Sequence, residues 1–155
     1  MTASDDVFLT HQTPVWRDRA NFIIMAALPE HHTYEQMWAR QETDDVFELC
    51  CIPFFAHNLA LGDAVRTETR EGRTHLIAEV VRPSGRWTFR LWLGKSVESA
   101  LDVEAEMVGL GALTEWSSEH LLGVDASDEA HAQVVADALA RGEGAGRWMY
   151  ETGRV

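Results

Sequence analysis

The chain has 155 residues, 46% of them apolar, so it can bury the core of about one domain. Its 25 acidic and 13 basic residues give a formal charge of −12, and Lys95 is its single lysine, which excludes a general role on nucleic acid or on an anionic membrane surface. The opening residues, MTASDDVFLTHQT, lack the basic start and apolar stretch of an export signal, and the longest apolar run, residues 22–29, is far too short to cross a bilayer, so a cytoplasmic protein is expected.

Residues 1–19 are polar and read as a loosely ordered arm, which Phe8 and Trp16 can tack onto the body. Residues 19–28 (RANFIIMAAL) read as a buried strand, although a short apolar run also fits a helix. Residues 34–40 (YEQMWAR) fit helix or strand equally on pattern alone. After the Asp44-Asp45 turn, residues 46–52 (VFELCCI) read as a strand that Pro53 stops, because proline removes a ladder donor. Residues 54–61 read as a helical turn or an aromatic-lined loop. Residues 64–70 and 74–82 read as two strands joined by a tight turn at Glu71-Gly72-Arg73. Cys50 and Cys51 are adjacent, so on a strand they point to opposite faces; they read as two buried apolar thiols rather than a disulfide.

Pro83-Ser84-Gly85 is the best boundary in the chain. Beyond it, Trp87, Phe89, Leu91 and Leu93 alternate on one face of a strand. Ser96 is a plausible N-cap for a helix running to about Leu110, with Val97, Ala100, Leu101, Met107 and Val108 on its apolar stripe and Glu104 as a flaw in it. Residues 113–116 and 121–124 form a hairpin. A second helix begins near Ser127 or Asp128 and closes at Gly142, with Ala130, Val134, Val135, Ala138 and Leu139 as its apolar face. A last strand covers residues 147–151. The fold expected is therefore α+β: a β-rich unit at 20–85, a small barrel or curled sheet, packed on a ferredoxin-like β-α-β-β-α-β unit at 86–155, the two sharing a core.

Five segments, taken together and in this order, carry a resemblance: WARQ (38–41), IPFFA (52–56), LALGD (59–63), EVVRPSG (79–85) and GRWMYE (146–151). On these the chain resembles the bacterial family known as domain of unknown function 4265, over about residues 20–152. The resemblance implies a stand-alone bacterial protein and supplies no catalytic residue and no cofactor. The N-terminal arm, His57 and the Cys50-Cys51 pair fall outside the shared pattern.

The segment IPFFAHNLALGD concentrates the chemistry. Phe54 and Phe55 can wall a pocket whose polar groups are His57, Asn58 and Asp63, with His57 as a base oriented by Asp63. The same residues also fit a plain reading of core phenylalanines, a strand-entry turn at Gly62-Asp63 and a surface histidine. Trp148 and Tyr150 share a strand face and serve equally as core or as ligand platform. His31 and His32 with Glu30 or Glu35 make a poor metal site, because adjacent histidines on an extended segment diverge, so no metal and no cofactor are expected. No GxGxxG, P-loop, GxSxG or HExxH pattern occurs, and the glycine-rich residues 142–146 follow a helix rather than opening one.

The leading expectation is a non-catalytic accessory module that binds a protein, peptide or small ligand in the crease between the two units, with a homodimer through an open sheet edge as a variant. The alternatives are a small enzyme of specialised metabolism built on His57 and Asp63, and an acidic immunity-type protein that caps a basic partner.

Overall fold

The structure is a computed structural model that describes residues 5–94 and 99–154. The elements are β1 (Val7–Leu9), a 3-10 turn (Arg17–Arg19), β2 (Phe22–Ala27), β3 (Thr33–Gln41), β4 (Val46–Leu49), β5 (Ala64–Arg70), β6 (Thr74–Arg82), β7 (Trp87–Trp92), α1 (Ala100–Gly109), β8 (Leu113–Trp116), β9 (Leu121–Ala126), α2 (Glu129–Gly144) and β10 (Met149–Thr152).

The first sheet has six strands in the order β1-β3-β2-β6-β5-β4, and β3 also pairs with β4, so the sheet curls until five of its strands close a ring. Four hairpin-like steps through five strands leave the first and last running the same way. The closing pair, β2 with β6, is accordingly parallel, and its register is the single couple Met25↔Leu76. The segment 34–40, ambiguous in sequence, is a strand because its alternation fits the ring: Met37 and Ala39 point inward, while Gln36, Trp38 and Arg40 point outward. Glu35 stands in phase with the inward set. Ile24, Ala26, Met37, Ala39, Phe47, Leu49 and Val65 fill the ring.

The second sheet has four antiparallel strands in the order β10-β7-β9-β8, with the elements running β7-α1-β8-β9-α2-β10. Phe89 and Leu91 of β7 and Leu122 and Val124 of β9 pack with Val103 and Met107 of α1 and with Val135 and Leu139 of α2. Asp128 caps α2 by accepting from the His131 N–H at 2.8 Å. The cap of α1 is Ser99, which accepts from Asp102; the expected cap Ser96 and the stripe position Val97 lie outside the described residues. The buried face of α1 is also rotated from the expected stripe. Val103 and Met107 are buried, whereas Leu101 and Val108 are exposed, and Glu104 accepts a hydrogen bond from the Trp116 indole. On α2, Val134 is likewise exposed.

One expectation needs correction. The arm is docked: β1 lies parallel on β3, Phe8 stacks on Tyr34 at 5.8 Å, and the Trp16 N–H donates to the Cys50 carbonyl at 3.0 Å. One apolar cluster lies inside the ring and another between the second sheet and its helices, while buried Ile52 and Phe54 belong to neither and pack against Gly123 of β9. Between the two clusters runs the long loop from β4 to β5, and what sits under that loop is charged.

Candidate functional site

β4 ends at Leu49, so Pro53 lies within the loop rather than at the strand's end, and the backbone N–H groups just past it pair with no neighbouring strand. Those of Phe54, Phe55 and Ala56 converge on the carboxylate of Glu35 at 2.7, 2.9 and 2.9 Å. Consecutive N–H groups aimed at one point make an anion cradle, and here the chain's own Glu35 fills it. His11 enters from the arm, its Nε2 2.6 Å from Glu35 Oε2, and its Nδ1 contacts Glu115 Oε2 on β8. The other oxygen of Glu115 accepts from the N–H groups of Val15 (3.2 Å) and Ile52 (3.1 Å). The three side chains are fully shielded from solvent, and each of their polar atoms has a partner. Phe54 lies parallel to the imidazole at 4.1 Å, and the Trp38 indole donates to the His11 carbonyl at 3.0 Å.

The charge states follow from this geometry. Burial alone would push His11 down, but Glu115 and Glu35, each bonded to one ring nitrogen, outweigh it and hold the imidazole up to about 12, so it is a cation flanked by two carboxylates. Burial would raise Glu35, but His11 and the N–H groups of Phe54 and Ala56 prevail and hold it below the ordinary carboxylate range. Cys51 is pushed up by burial, which keeps it a thiol; both cysteines are buried and free. A buried guanidinium, Arg90 of β7, extends the network: it donates to the Ala56 carbonyl and reaches Glu151 at 3.5 Å. Beside it the Thr88 hydroxyl donates to the Leu59 carbonyl at 3.3 Å. Thr88 and Arg90 thus fasten the far face of the second sheet to the loop, and Trp92 at the end of that face stays exposed.

The residues singled out in the sequence are dispersed. Phe54 is buried against Gly123 of β9, and Phe55 is half-buried beside it at 6.3 Å. His57 is exposed. Asp63 is buried, and its two oxygens accept from the N–H groups of Ala60 (3.0 Å) and Ser84 (2.8 Å), so it ties the loop to the link between the units rather than orienting His57. Asn58 takes a positive φ of 62° and donates its N–H to Gly153. Trp148 belongs to the helix-side core, its indole bound to the Leu139 carbonyl at 2.9 Å, and Tyr150 is half-buried at its edge. The His31 and His32 rings meet at a tilt of 58°, their centroids 3.8 Å apart, and His32 pairs with Asp6 at 3.0 Å. Among the described residues no group of three or more His, Cys, Asp or Glu side chains is arranged to hold a metal ion.

The sequence does not single out His11, Glu115 or Arg90 as site residues, and it offers Glu35 only as a poor metal ligand beside His31 and His32. An acid in phase with the inward positions of a strand was the one available signal, and it applies only to Glu35. Open space lies along the outer side of the loop. Two shallow hollows, of about 250 and 280 Å³, share Asn58, Leu59 and Val80; the first reaches Thr88 and Arg154, the second Ala27 and His57. Two larger depressions, about 790 and 750 Å³, share Leu93, Gly94 and His120.

No curated protein matches the chain. Its structure is similar to that of a hypothetical protein from Neisseria gonorrhoeae, with a TM-score of 0.71 and 20% identity over 83% of this chain and 91% of that one, a likeness of fold. The family model for Domain of unknown function (DUF4265) matches residues 35–150, and the chain belongs to that family.

Proposed function

We propose that the protein is a non-catalytic binding module whose ligand lies along the crease between its two units, over the hollows at Asn58, Leu59 and Val80. The observation that carries this reading is the division of labour around the loop. The acid–base set His11, Glu35 and Glu115 is sealed from solvent and every polar atom in it is already engaged, so it offers no proton to a substrate. The outer side of the same loop is open, and it carries Asn58, a non-glycine residue with positive φ. Such strained positions persist where the surroundings fix them, and they cluster at ligand clamps.

The C-terminal unit is read as ferredoxin-like. The strand order β10-β7-β9-β8 and the packing of both helices with the apolar side chains of β7 and β9 support this. In that frame the sheet's second face carries no helix, and Thr88 and Arg90 of that face bind the loop that borders the hollows. The test is to titrate the isotope-labelled protein with a set of small-molecule fragments and follow backbone amide shifts. Shifts gathered at Asn58, Leu59 and Val80 are expected. Shifts confined to other surfaces would overturn the crease as the binding site.

A further inference from the structure

The chain's basic residues are not spread evenly. The Arg19 and Arg86 guanidiniums both lie over the Trp16 indole, at 4.4 and 5.1 Å. Arg17 lies over Trp38 at 5.1 Å, and Arg154 over Trp87 at 3.7 Å. Shared partners join these pairs into one string: Arg19 and Arg40 both meet Glu48, at 2.5 and 3.8 Å, and Arg154 donates to the Arg86 carbonyl at 3.5 Å. Five of the 13 basic residues therefore sit in one neighbourhood.

Four acids accompany them: Asp18, Glu48, Asp63 and Asp125. The patch is then +1, which leaves −13 for the rest of a chain whose total is −12. The exposed surface is more basic than that count. The side chains of Arg19 and Arg40 are 46% and 48% exposed, whereas those of Glu48 and Asp125 are 12% and 1% exposed. Arg17 and Arg154 take part in no ion pair among the described residues.

We infer that this arginine–tryptophan string is a docking surface for an acidic peptide segment of a partner protein, one that carries an apolar residue beside its carboxylates. Indole contacts hold the guanidiniums in place, so less side-chain freedom is lost when a carboxylate arrives. Arginine and tryptophan are the residues that most often dominate interface energetics. Arg154 also lines the hollow at Asn58, Leu59 and Thr88, so the string leads into a recess that accepts the apolar residue. That last point rests on the crease reading above. A long polyanion such as a nucleic acid is disfavoured, because it would run past the patch onto the rest of a chain in which acidic residues far outnumber basic ones. A short acidic segment stays within a Debye length of the arginines, about 8 Å at physiological salt.

The experiment is fluorescence anisotropy with a labelled peptide of alternating Asp and Leu, a control of alternating Asn and Leu, and a labelled single-stranded oligonucleotide of equal charge. The acidic peptide is expected to bind more tightly than both, and to weaken as salt is raised. The double variant Arg17→Glu/Arg154→Glu, which breaks no ion pair among the described residues, should lose about tenfold or more in affinity while the protein stays folded, its unfolding midpoint lowered only by the lost indole and carbonyl contacts. The milder pair Arg17→Gln/Arg154→Gln should fall between. Equal binding of acidic and control peptides, indifference to the charge reversal, or tighter binding of the oligonucleotide would overturn the inference. Amide shifts separate the two proposals. Peptide-induced shifts at Arg17 and Arg19 without any at Asn58, Leu59 or Val80 keep the string and remove the crease. Fragment binding in the crease with no peptide affinity does the reverse.

Discussion

Two pairings of histidine with carboxylate, one assembled by the fold and one suggested by closeness in sequence, have opposite outcomes. Under the β4–β5 loop, His11 is wedged between Glu35 and Glu115, and all three are shut away from solvent with every polar atom engaged. On the outside of the same loop, His57 is exposed, and the nearby Asp63 spends its oxygens on backbone N–H groups. The first group comes from three distant parts of the chain: His11 is 24 residues from Glu35 and 104 from Glu115. The second is local. Closeness in sequence suggested a working pair at His57 and Asp63, whereas the dense electrostatic site is assembled only by the tertiary fold.

The sharpest way to break this contrast is Glu35→Ala. It leaves three loop N–H groups without their acceptor and the His11 cation with one carboxylate where it had two, and removing one member of a buried pair costs about 3–5 kcal/mol. Chemical denaturation should show a loss of that size; a loss indistinguishable from that of a surface substitution would make the cluster incidental.

The pH dependence sharpens it next. His11 is held up to about 12 from 6.5, so its contribution is complete below pH 6.5 and is lost as the pH climbs through the raised value. Glu35 is held below 4.5, so its contribution is present above pH 4.5 and is lost as the pH falls through its lowered value. Stability from this cluster should therefore be greatest between those two ordinary values and decline on both sides. Glu35→Gln should flatten the acid limb in urea unfolding measured across pH; an unchanged acid limb would assign it to other groups.

A smaller effect is expected for Asp63→Ala, which strips the acceptor from the Ala60 and Ser84 N–H groups and should cost about 1–3 kcal/mol. The smallest belongs to His57→Ala, where an exposed side chain is removed and the change should stay within about 0.5 kcal/mol by the same assay. A large loss there would mean that His57 carries structural contacts like those of His11.

Much of the architecture was legible because it depends on local periodicity. The alternation at Trp87, Phe89 and Leu91 gives β7 and its helix-facing side, and Asp128 marks the start of α2. Glu71 and Gly72 adopt the positive φ that the β5–β6 turn requires. Residues 34–40 were ambiguous because Glu35 and Gln36 interrupt both periods at once; closure of the ring decides in favour of a strand. The buried face of α1 was misplaced because Leu101 and Val108 have the right chemistry on the wrong side, a matter of how the helix is seated on the sheet. The central cluster was hidden for a deeper reason. No local pattern marks a histidine in a polar arm as the counter-ion of carboxylates on β3 and β8, since each contact spans a different pair of elements.

The position of His11 also bears on where the protein can be cut. The family match begins at Glu35, which keeps both carboxylates and discards the imidazolium between them, together with β1 and β2. A recombinant fragment trimmed to that limit would leave two acids facing each other in the dark of the protein, and an open gap between β3 and β6. The stretch that defines kinship is therefore shorter than the stretch that folds, and anyone preparing this protein for crystals or binding assays should begin upstream of His11.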